Sequence, residues 1–181
     1  MIRVHSEKIT SQFKGTIIDI ETIGDFCREY DDNDSRQYSI LVPTIFGYIT
    51  KDKLKILCAE GKIGLEELQE EVTKLMSSLQ RPIYAFQCRF ERGVLHHCYD
   101  IELKIDGELN KRTREWKGNA CYELDIPNYD DPFNNVGKEC ILAWLRGDYE
   151  NTIKHNRSCL LKERDILLKR NYREPDKLKM H

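Results

Sequence analysis

Two carboxylates interrupt an otherwise apolar strand near the amino terminus. In the stretch 15–22, GTIIDIET, Asp19 and Glu21 occupy alternate positions among β-branched and aliphatic residues. Alternate strand residues point to the same face and lie about 6 to 7 Å apart, so the two acids share one face. A divalent cation between them would remove the repulsion between like charges. The alternative is an exposed strand edge with two solvated acids, and this stretch alone does not decide between them.

Two further stretches carry residue types that could join such a site. Glu91 lies one turn into the helix that we expect after the apolar stretch 81–86, RPIYAF, where ligands of open α/β sheets collect. His155 and Cys159 are four residues apart, which places both on one face of a helix. A cysteine hydrolase built from this pair is one alternative, but a mid-helix thiol lacks the helix N-terminus that would activate it.

Composition restricts the class of protein without naming a partner. The chain has 181 residues, 40% hydrophobic and 33% charged, which fits one soluble globular domain over residues 1–181. No apolar run has the length of a membrane span, so we expect no membrane partner. Seven cysteines without a C-x-x-C pair favour free thiols and a cytoplasmic location. A net charge of −2 gives no general attraction to nucleic acid, so binding to it needs a local site.

The apolar pattern places these residues on a mixed sheet. We predict strands over 15–22, 40–50, 54–61, 81–86 and 101–105, and helices over 65–79, 89–99, 137–147 and from about 151 to 170. Strands 40–50 and 54–61 should form a hairpin that returns along the first strand, with a bulge or strand start at Pro43. Residues 106–135 are predicted to be loop with some irregular elements. This order of strands and helices predicts an α/β fold.

Three motifs in this order resemble a known superfamily. The stretch IIDIET is similar to the first motif of the DEDD-type 3′-to-5′ exonucleases, which have a ribonuclease-H-like fold. AFQCRFERGVL resembles their second motif, with Gln87 at its Asn position and Glu91 at its Asp position. KHNRSCLLKE resembles the third motif of small predicted exonucleases, His-Asn-x-x-Asp, with His155 and Asn156 matching and Cys159 in place of the final Asp.

The resemblance implies metal-assisted hydrolysis of phosphodiester bonds at a single-stranded end of DNA or RNA. Two Mg²⁺ or Mn²⁺ ions would be held by Asp19, Glu21 and Glu91, and His155 would be the general base. The resemblance also assigns substrate contacts, which the following residues would make: Gln87, Phe90 and Asn156.

Cys159 leaves a second function open. A thiol is a poor ligand for Mg²⁺ or Mn²⁺, which prefer oxygen donors. The chain is therefore either a metal-dependent nuclease or a catalytically degenerate ribonuclease-H-like module that binds nucleic acid or another protein. The sequence does not give the oligomeric state, the choice of DNA or RNA, or the polarity of attack.

Overall fold

The computed structural model describes all 181 residues and contains one six-stranded mixed β-sheet with five α-helices. The strands are β1 (Ile2–Lys8), β2 (Thr16–Ile23), β3 (Val42–Ile49), β4 (Lys53–Ala59), β5 (Ile83–Ala85) and β6 (Gly107–Glu108). The helices are α1 (Gly61–Met76), α2 (Cys88–Tyr99), α3 (Lys117–Glu123), α4 (Gly137–Leu145) and α5 (Tyr149–Arg170), with a short 3₁₀ helix at Ser35–Tyr38.

The strand that carries the two acids lies inside the sheet. The strand order is β1-β4-β3-β2-β5-β6, so β2 has a neighbour on each side. β1, β4, β3 and β2 pair antiparallel, whereas β2, β5 and β6 pair parallel. The predicted α/β class and the hairpin that returns along the first strand are confirmed. The reading of Asp19 and Glu21 as residues on an exposed strand edge is wrong.

A β-bulge lies directly beside Glu21. In the β2–β3 pairing, Glu21 is opposite Ile45 and Thr22 is opposite Pro43, so Thr44 is the additional residue. The Thr44 hydroxyl donates a hydrogen bond to the Glu21 carbonyl at 3.2 Å. Proline cannot donate to the ladder, and a bulge is one of the few places in a sheet that accept it. The predicted irregularity at Pro43 is confirmed, and it bends the strands where the acids lie.

Helices cover both faces of the sheet and separate two apolar cores. On one face, Ile17 joins a cluster with residues of α3, α4 and α5, and on the other face Ile18 and Ile20 join a cluster with α1 and α2. Because side chains of β2 alternate, Asp19 and Glu21 lie on the same face as Ile17, toward α5. The acids are therefore placed between the sheet and the longest helix.

Helix α5 carries an unusual number of buried polar residues. Asp148 caps its amino end by accepting from the Asn151 backbone N–H at 3.3 Å. Six polar side chains of the helix are buried: Thr152, His155, Asn156, Ser158, Lys162 and Glu163. Buried polar groups need partners, so this face of α5 points to other polar residues rather than to the apolar core.

No helix of the structure has the length and apolar character needed to cross a lipid bilayer.

Four local predictions need correction. Residues 101–105 are not a strand, because β5 is only three residues long and pairs with Gly107–Glu108 instead. Helix α3 lies inside the region predicted as loop; Gly118 and Asn119 are poor helix formers that hide it in the sequence. Helix α1 begins at Gly61 rather than at residue 65. Strand β1 is not predicted from the sequence, because it lies at the edge of the sheet and most of its residues are polar.

Candidate active site

A cleft of about 750 Å³ opens at the carboxyl ends of the parallel strands β2 and β5. This edge of an α/β sheet is where ligands usually bind. Seven of the eight residues predicted for the site line the cleft: Asp19, Glu21, Gln87, Phe90, Glu91, His155 and Cys159. The sequence motifs are therefore brought to one place, although they lie up to 140 residues apart in the chain.

Asn156 is the exception, and its role differs from the predicted substrate contact. Its side chain is fully buried, and its amide Nδ2 donates to Asp19 Oδ2 at 2.6 Å and to the Asp19 carbonyl at 3.3 Å. Gly47, opposite Asp19 on β3, makes room for it, because a Cβ there would lie 2.0 Å from Asn156 Oδ1. Asn156 therefore contacts Asp19 and not the open space of the cleft, and its predicted role in substrate binding stays a prediction. It holds the Asp19 carboxylate in place.

Lys117 lies among the carboxylates, and sequence reasoning missed it. It is the first residue of α3, and its Nζ is 2.9 Å from Asp19 Oδ1 and 2.5 Å from Glu163 Oε1. Burial lowers the pKa of Lys117, but Asp19 and Glu163 outweigh this effect and hold the pKa well above its ordinary value. Lys117 is therefore a fixed positive charge on one side of Asp19.

Glu163 is the second residue that the sequence motifs did not assign. It lies one helical turn beyond Cys159 on the same face of α5, and its side chain is fully buried. Burial, with the nearby negative charge of Asp19, raises the pKa of Glu163 despite the contact with Lys117. A carboxylate thus lies close to the position where the third motif has cysteine instead of aspartate.

Glu91 adds a fourth carboxylate to the floor of the cleft. It lies in the first turn of α2, is 3% exposed, and its Oε2 has no hydrogen-bond partner. Burial raises the pKa of Glu91 well above its ordinary value, and the negative charges of Asp19 and Glu163 raise it further. Glu91 therefore favours its protonated form, and a cation close to it would be needed to keep it ionised.

His155 faces Glu21 with one ring nitrogen and Asp131 with the other. Its Nδ1 is 2.8 Å from Asp131 Oδ1, and its Nε2 is 3.6 Å from Glu21 Oε1. Burial lowers the pKa of His155, but its contacts with Cys159, Glu21 and Asp131 outweigh this effect and raise the pKa above its ordinary value. Burial raises the pKa of Glu21 to about 7. A raised pKa favours the protonated form of His155, so the general-base role stays a prediction that depends on a bound cation.

Asp131 is itself held by a buried lysine on α5. Lys162 Nζ donates to Asp131 Oδ2 at 2.9 Å, to Asn135 Oδ1 at 2.8 Å and to Asn128 Oδ1 at 3.0 Å. The Asp131 carboxylate also accepts from the backbone N–H groups of Phe133 and Asn135 at 3.0 and 2.9 Å. These bonds fix the loop 128–135 against α5, and the loop in turn orients the His155 ring. Sequence reasoning treated this region as irregular and did not find Asp131.

Cys159 does not have the properties of a nucleophile. It lies in the interior of α5, and its Sγ is 3.8 Å from His155 Nε2. Burial raises the pKa of Cys159, although Lys117 and His155 act in the opposite direction. A buried thiol that keeps its proton is a weak nucleophile. The structure therefore gives no support to a cysteine hydrolase.

The possible ligand atoms form two sets that share Glu21. Ligand atoms of Asp19, Glu21 and Cys159 all lie within 4.8 Å of one another, as do those of Glu21, Cys140 and His155. Glu91 belongs to neither set, so the expected single coordination shell of Asp19, Glu21 and Glu91 does not form. A cation could be held between Asp19 and Glu21, whereas Lys117 already contacts Asp19 Oδ1.

Aromatic and basic side chains form the outer wall of the cleft. The rings of Phe26, Tyr38 and Phe90 contact one another edge to face, with centroids 5.9 to 6.2 Å apart. The Phe26 side chain is half exposed, so part of this aromatic surface faces solvent. Gln87 lies between this wall and the acids and donates to the Glu115 carbonyl at 3.2 Å. Three arginines also line the cleft: Arg28, Arg89 and Arg114.

Comparison with known proteins adds no residue to this site. No family model and no curated protein matches the sequence, and no solved structure matches the fold.

Proposed function

We propose that this chain is a metal-dependent nuclease of ribonuclease-H-like fold that removes nucleotides from the 3′ end of a DNA or RNA strand. The observation that carries the proposal is the convergence of three carboxylates on one cleft, with a fourth, Glu163, buried beside them in contact with Lys117. Asp19 and Glu21 come from β2, Glu91 from α2 and Glu163 from α5. The choice of an exonuclease is based on the resemblance of three sequence motifs to those of the DEDD-type exonucleases. These motifs contain Asp19, Glu21, Glu91 and His155.

The raised pKa values of Glu21, Glu91 and Glu163 support a bound cation, because a cation would offset the cost of ionising these buried acids. Burying a charged group is costly unless it is paired, yet Glu91 Oε2 has no partner and only Lys117 and His155 carry positive charge near the four acids. Carboxylate oxygens of this kind are suitable ligands for Mg²⁺ or Mn²⁺. The residues present therefore fit a divalent cation, and Asp19 and Glu21 would hold it.

The cation would activate the attacking water and stabilise the leaving oxygen of the phosphodiester. The protein's own residues have separate tasks. Asn156 fixes the Asp19 carboxylate, and Asp131 orients His155 so that Nε2 points to Glu21. With a cation bound beside Glu21, His155 would accept a proton at Nε2 as a general base. Without that positive charge, His155 would hold its proton and could only donate it.

The side chains that line the cleft support a strand end as the substrate. Base stacking on aromatic side chains and contacts from arginine to phosphate are the usual means of holding a single strand. Phe26 and Phe90 provide the aromatic surface, and Arg28 and Arg89 provide the positive charge.

The seven unpaired cysteines accord with the cytoplasmic location expected from the sequence.

A second function is favoured by Lys117 and Cys159 together. An ammonium group already neutralises part of the acidic cluster, and the third-motif position carries a thiol. Both features suit a degenerate module that binds a strand end without cutting it. We place this candidate second, because Lys117 and His155 together still leave the buried Glu91 Oε2 without a partner.

Release of nucleotides from labelled single-stranded DNA and RNA tests the proposal. We expect activity with Mn²⁺, less activity with Mg²⁺, and none with a chelator. Asp19→Asn should be inactive, because a neutral amide cannot replace the carboxylate. Asp100→Asn is a matched control, since Asp100 is exposed at the far end of α2 and adopts a left-handed conformation that Asn accepts. Equal activity of both variants would indicate a contaminating nuclease, and binding of the strand without cleavage would favour the degenerate module.

A further inference from the structure

Lys117 occupies a place in the acidic cluster that a second cation would need. Its side chain is 18% exposed, and its Nζ lies between Asp19 Oδ1 at 2.9 Å and Glu163 Oε1 at 2.5 Å. A carboxylate pair that shares one ammonium at these distances has no room for a metal ion at the same point. The backbone of Lys117 is fixed as well, because this residue begins α3. That helix is anchored in the core by Ala120 and Cys121, which are buried.

The ligand atoms around Glu21 are arranged differently. Asp19, Glu21 and Cys159 bring their ligand atoms within 4.8 Å of one another, and no lysine or arginine makes an ion pair with Glu21. His155 makes the nearest cationic contact with Glu21, at 3.6 Å, whereas the charge of Lys117 reaches Glu21 only from beyond ion-pair distance. Asp19 thus contacts an ammonium at Oδ1 and also belongs to a set of ligand atoms in which Glu21 has no ammonium partner.

We propose that the Lys117 ammonium replaces one of the two cations of a two-metal centre, so that the protein binds a single divalent ion between Asp19 and Glu21. This inference depends on the proposed metal-dependent function and specifies its centre. Each carboxylate oxygen can accept from more than one partner, so Asp19 can contact Lys117, Asn156 and the metal ion together. Lys117 would then be the fixed partner of Asp19, and the metal ion the exchangeable one.

Counting bound Mn²⁺ tests the inference without any measurement of activity. Isothermal titration and electron paramagnetic resonance should find one Mn²⁺ per chain, with the spectrum of an isolated ion. Lys117→Met keeps the length of the side chain and removes its charge, which frees Asp19 Oδ1 and Glu163 for a second ion. We expect this variant to bind two Mn²⁺ with spectral coupling between them, because ions of a two-metal site lie only about 3.5 to 4 Å apart.

The control is Lys62→Met, which removes an exposed lysine from α1 and should leave one ion bound. Two ions in the wild-type protein would overturn the inference and leave the proposed nuclease function intact. No ion in the wild-type protein would overturn both, because the site then would not hold a metal at all. One ion in a folded Lys117→Met would also overturn the inference, because removal of the ammonium would not have opened a second site. If Lys117→Met does not fold, Lys117→Gln takes its place, and two ions in the wild-type protein still overturn the inference.

Discussion

We expect the substitution Lys162→Met to destabilise the protein by about 3 kcal/mol. Lys162 and Asp131 form an ion pair at 2.9 Å in which the two side chains are 1% and 0% exposed. Removing one partner of a buried pair costs about 3 to 5 kcal/mol, because the other charge is left without compensation. Asp131 keeps its bonds to His155 and to two backbone N–H groups, which places the cost at the lower end of this range.

Urea denaturation followed by circular dichroism measures this difference in the free energy of unfolding. For a chain of this size, about 3 kcal/mol corresponds to a decrease in Tm of about 6 to 12 °C. Lys154→Met is the matched control on the same helix, since Lys154 pairs with Glu150 in solvent and its loss should cost less than about 1 kcal/mol. In a background that already carries Asp131→Asn, Lys162→Met should cost markedly less. A loss below about 1 kcal/mol for Lys162→Met would refute the assignment of this pair as a main support of the loop.

Four further predictions concern the cleft and its supports. Hydrogen bonds to His155 and Lys162 outweigh burial and lower the pKa of Asp131. The Asp131 carboxylate therefore stabilises the fold above the ordinary Asp pKa, and this stability is lost as pH falls. The stability of Asp131→Asn, measured by acid unfolding, should depend less on pH below about pH 4 than that of the wild type. Burial raises the pKa of Glu91, so the wild-type protein loses stability as pH rises above the ordinary Glu range. Glu91→Gln should therefore have a higher Tm than the wild type at about pH 8 in the presence of a chelator. An unchanged or lower Tm would contradict this prediction. Cys159→Asp should increase nucleotide release with Mg²⁺ relative to Mn²⁺, because an oxygen ligand replaces a thiol; no change in this ratio would remove Cys159 from the metal site. Gly47→Ala should cost about 1 to 3 kcal/mol in urea denaturation, because its Cβ collides with the amide that holds Asp19, whereas Gly137→Ala has free space and should cost nothing.

The sequence was sufficient for those site residues whose position follows from local periodicity. Alternation along a strand places Asp19 and Glu21 on one face, and helical spacing places His155 and Cys159 together. Neither rule depends on the rest of the chain. The same spacing also put Glu163 on the face of Cys159, but only the packing of α5 against β2 shows that it is buried beside Asp19.

Residues brought in by tertiary contacts could not be predicted. Lys117 lies 98 residues from Asp19 in a region without clear periodicity, so no local pattern connects them. Asp131 belongs to a loop whose shape is determined by Lys162, a residue that would ordinarily be placed on the surface. Asn156 was assigned to the substrate because the motif contains it, whereas its contact with Asp19 depends on the space that Gly47 leaves on a neighbouring strand.

Elements with weak amphipathic patterns were also the ones that the sequence missed. Strand β1 lies at the sheet edge and exposes most of its side chains, so it lacks the apolar run of an interior strand. The segment 101–105 has alternating apolar residues, yet Ile101 and Leu103 pack against the core without joining the sheet. Alternation of apolar and polar residues indicates which side chains are buried. It does not indicate whether the backbone lies beside another strand with which it can form hydrogen bonds.

A crystal soaked with Mn²⁺ and measured for anomalous scattering tests the central claim most directly. We predict one anomalous peak, with Asp19 and Glu21 as ligands at about 2.0 to 2.6 Å and the Lys117 ammonium still bound to Asp19. A structure that shows no peak in the cleft, with Glu21 contacting only His155, would contradict the assignment of this carboxylate cluster as a metal centre.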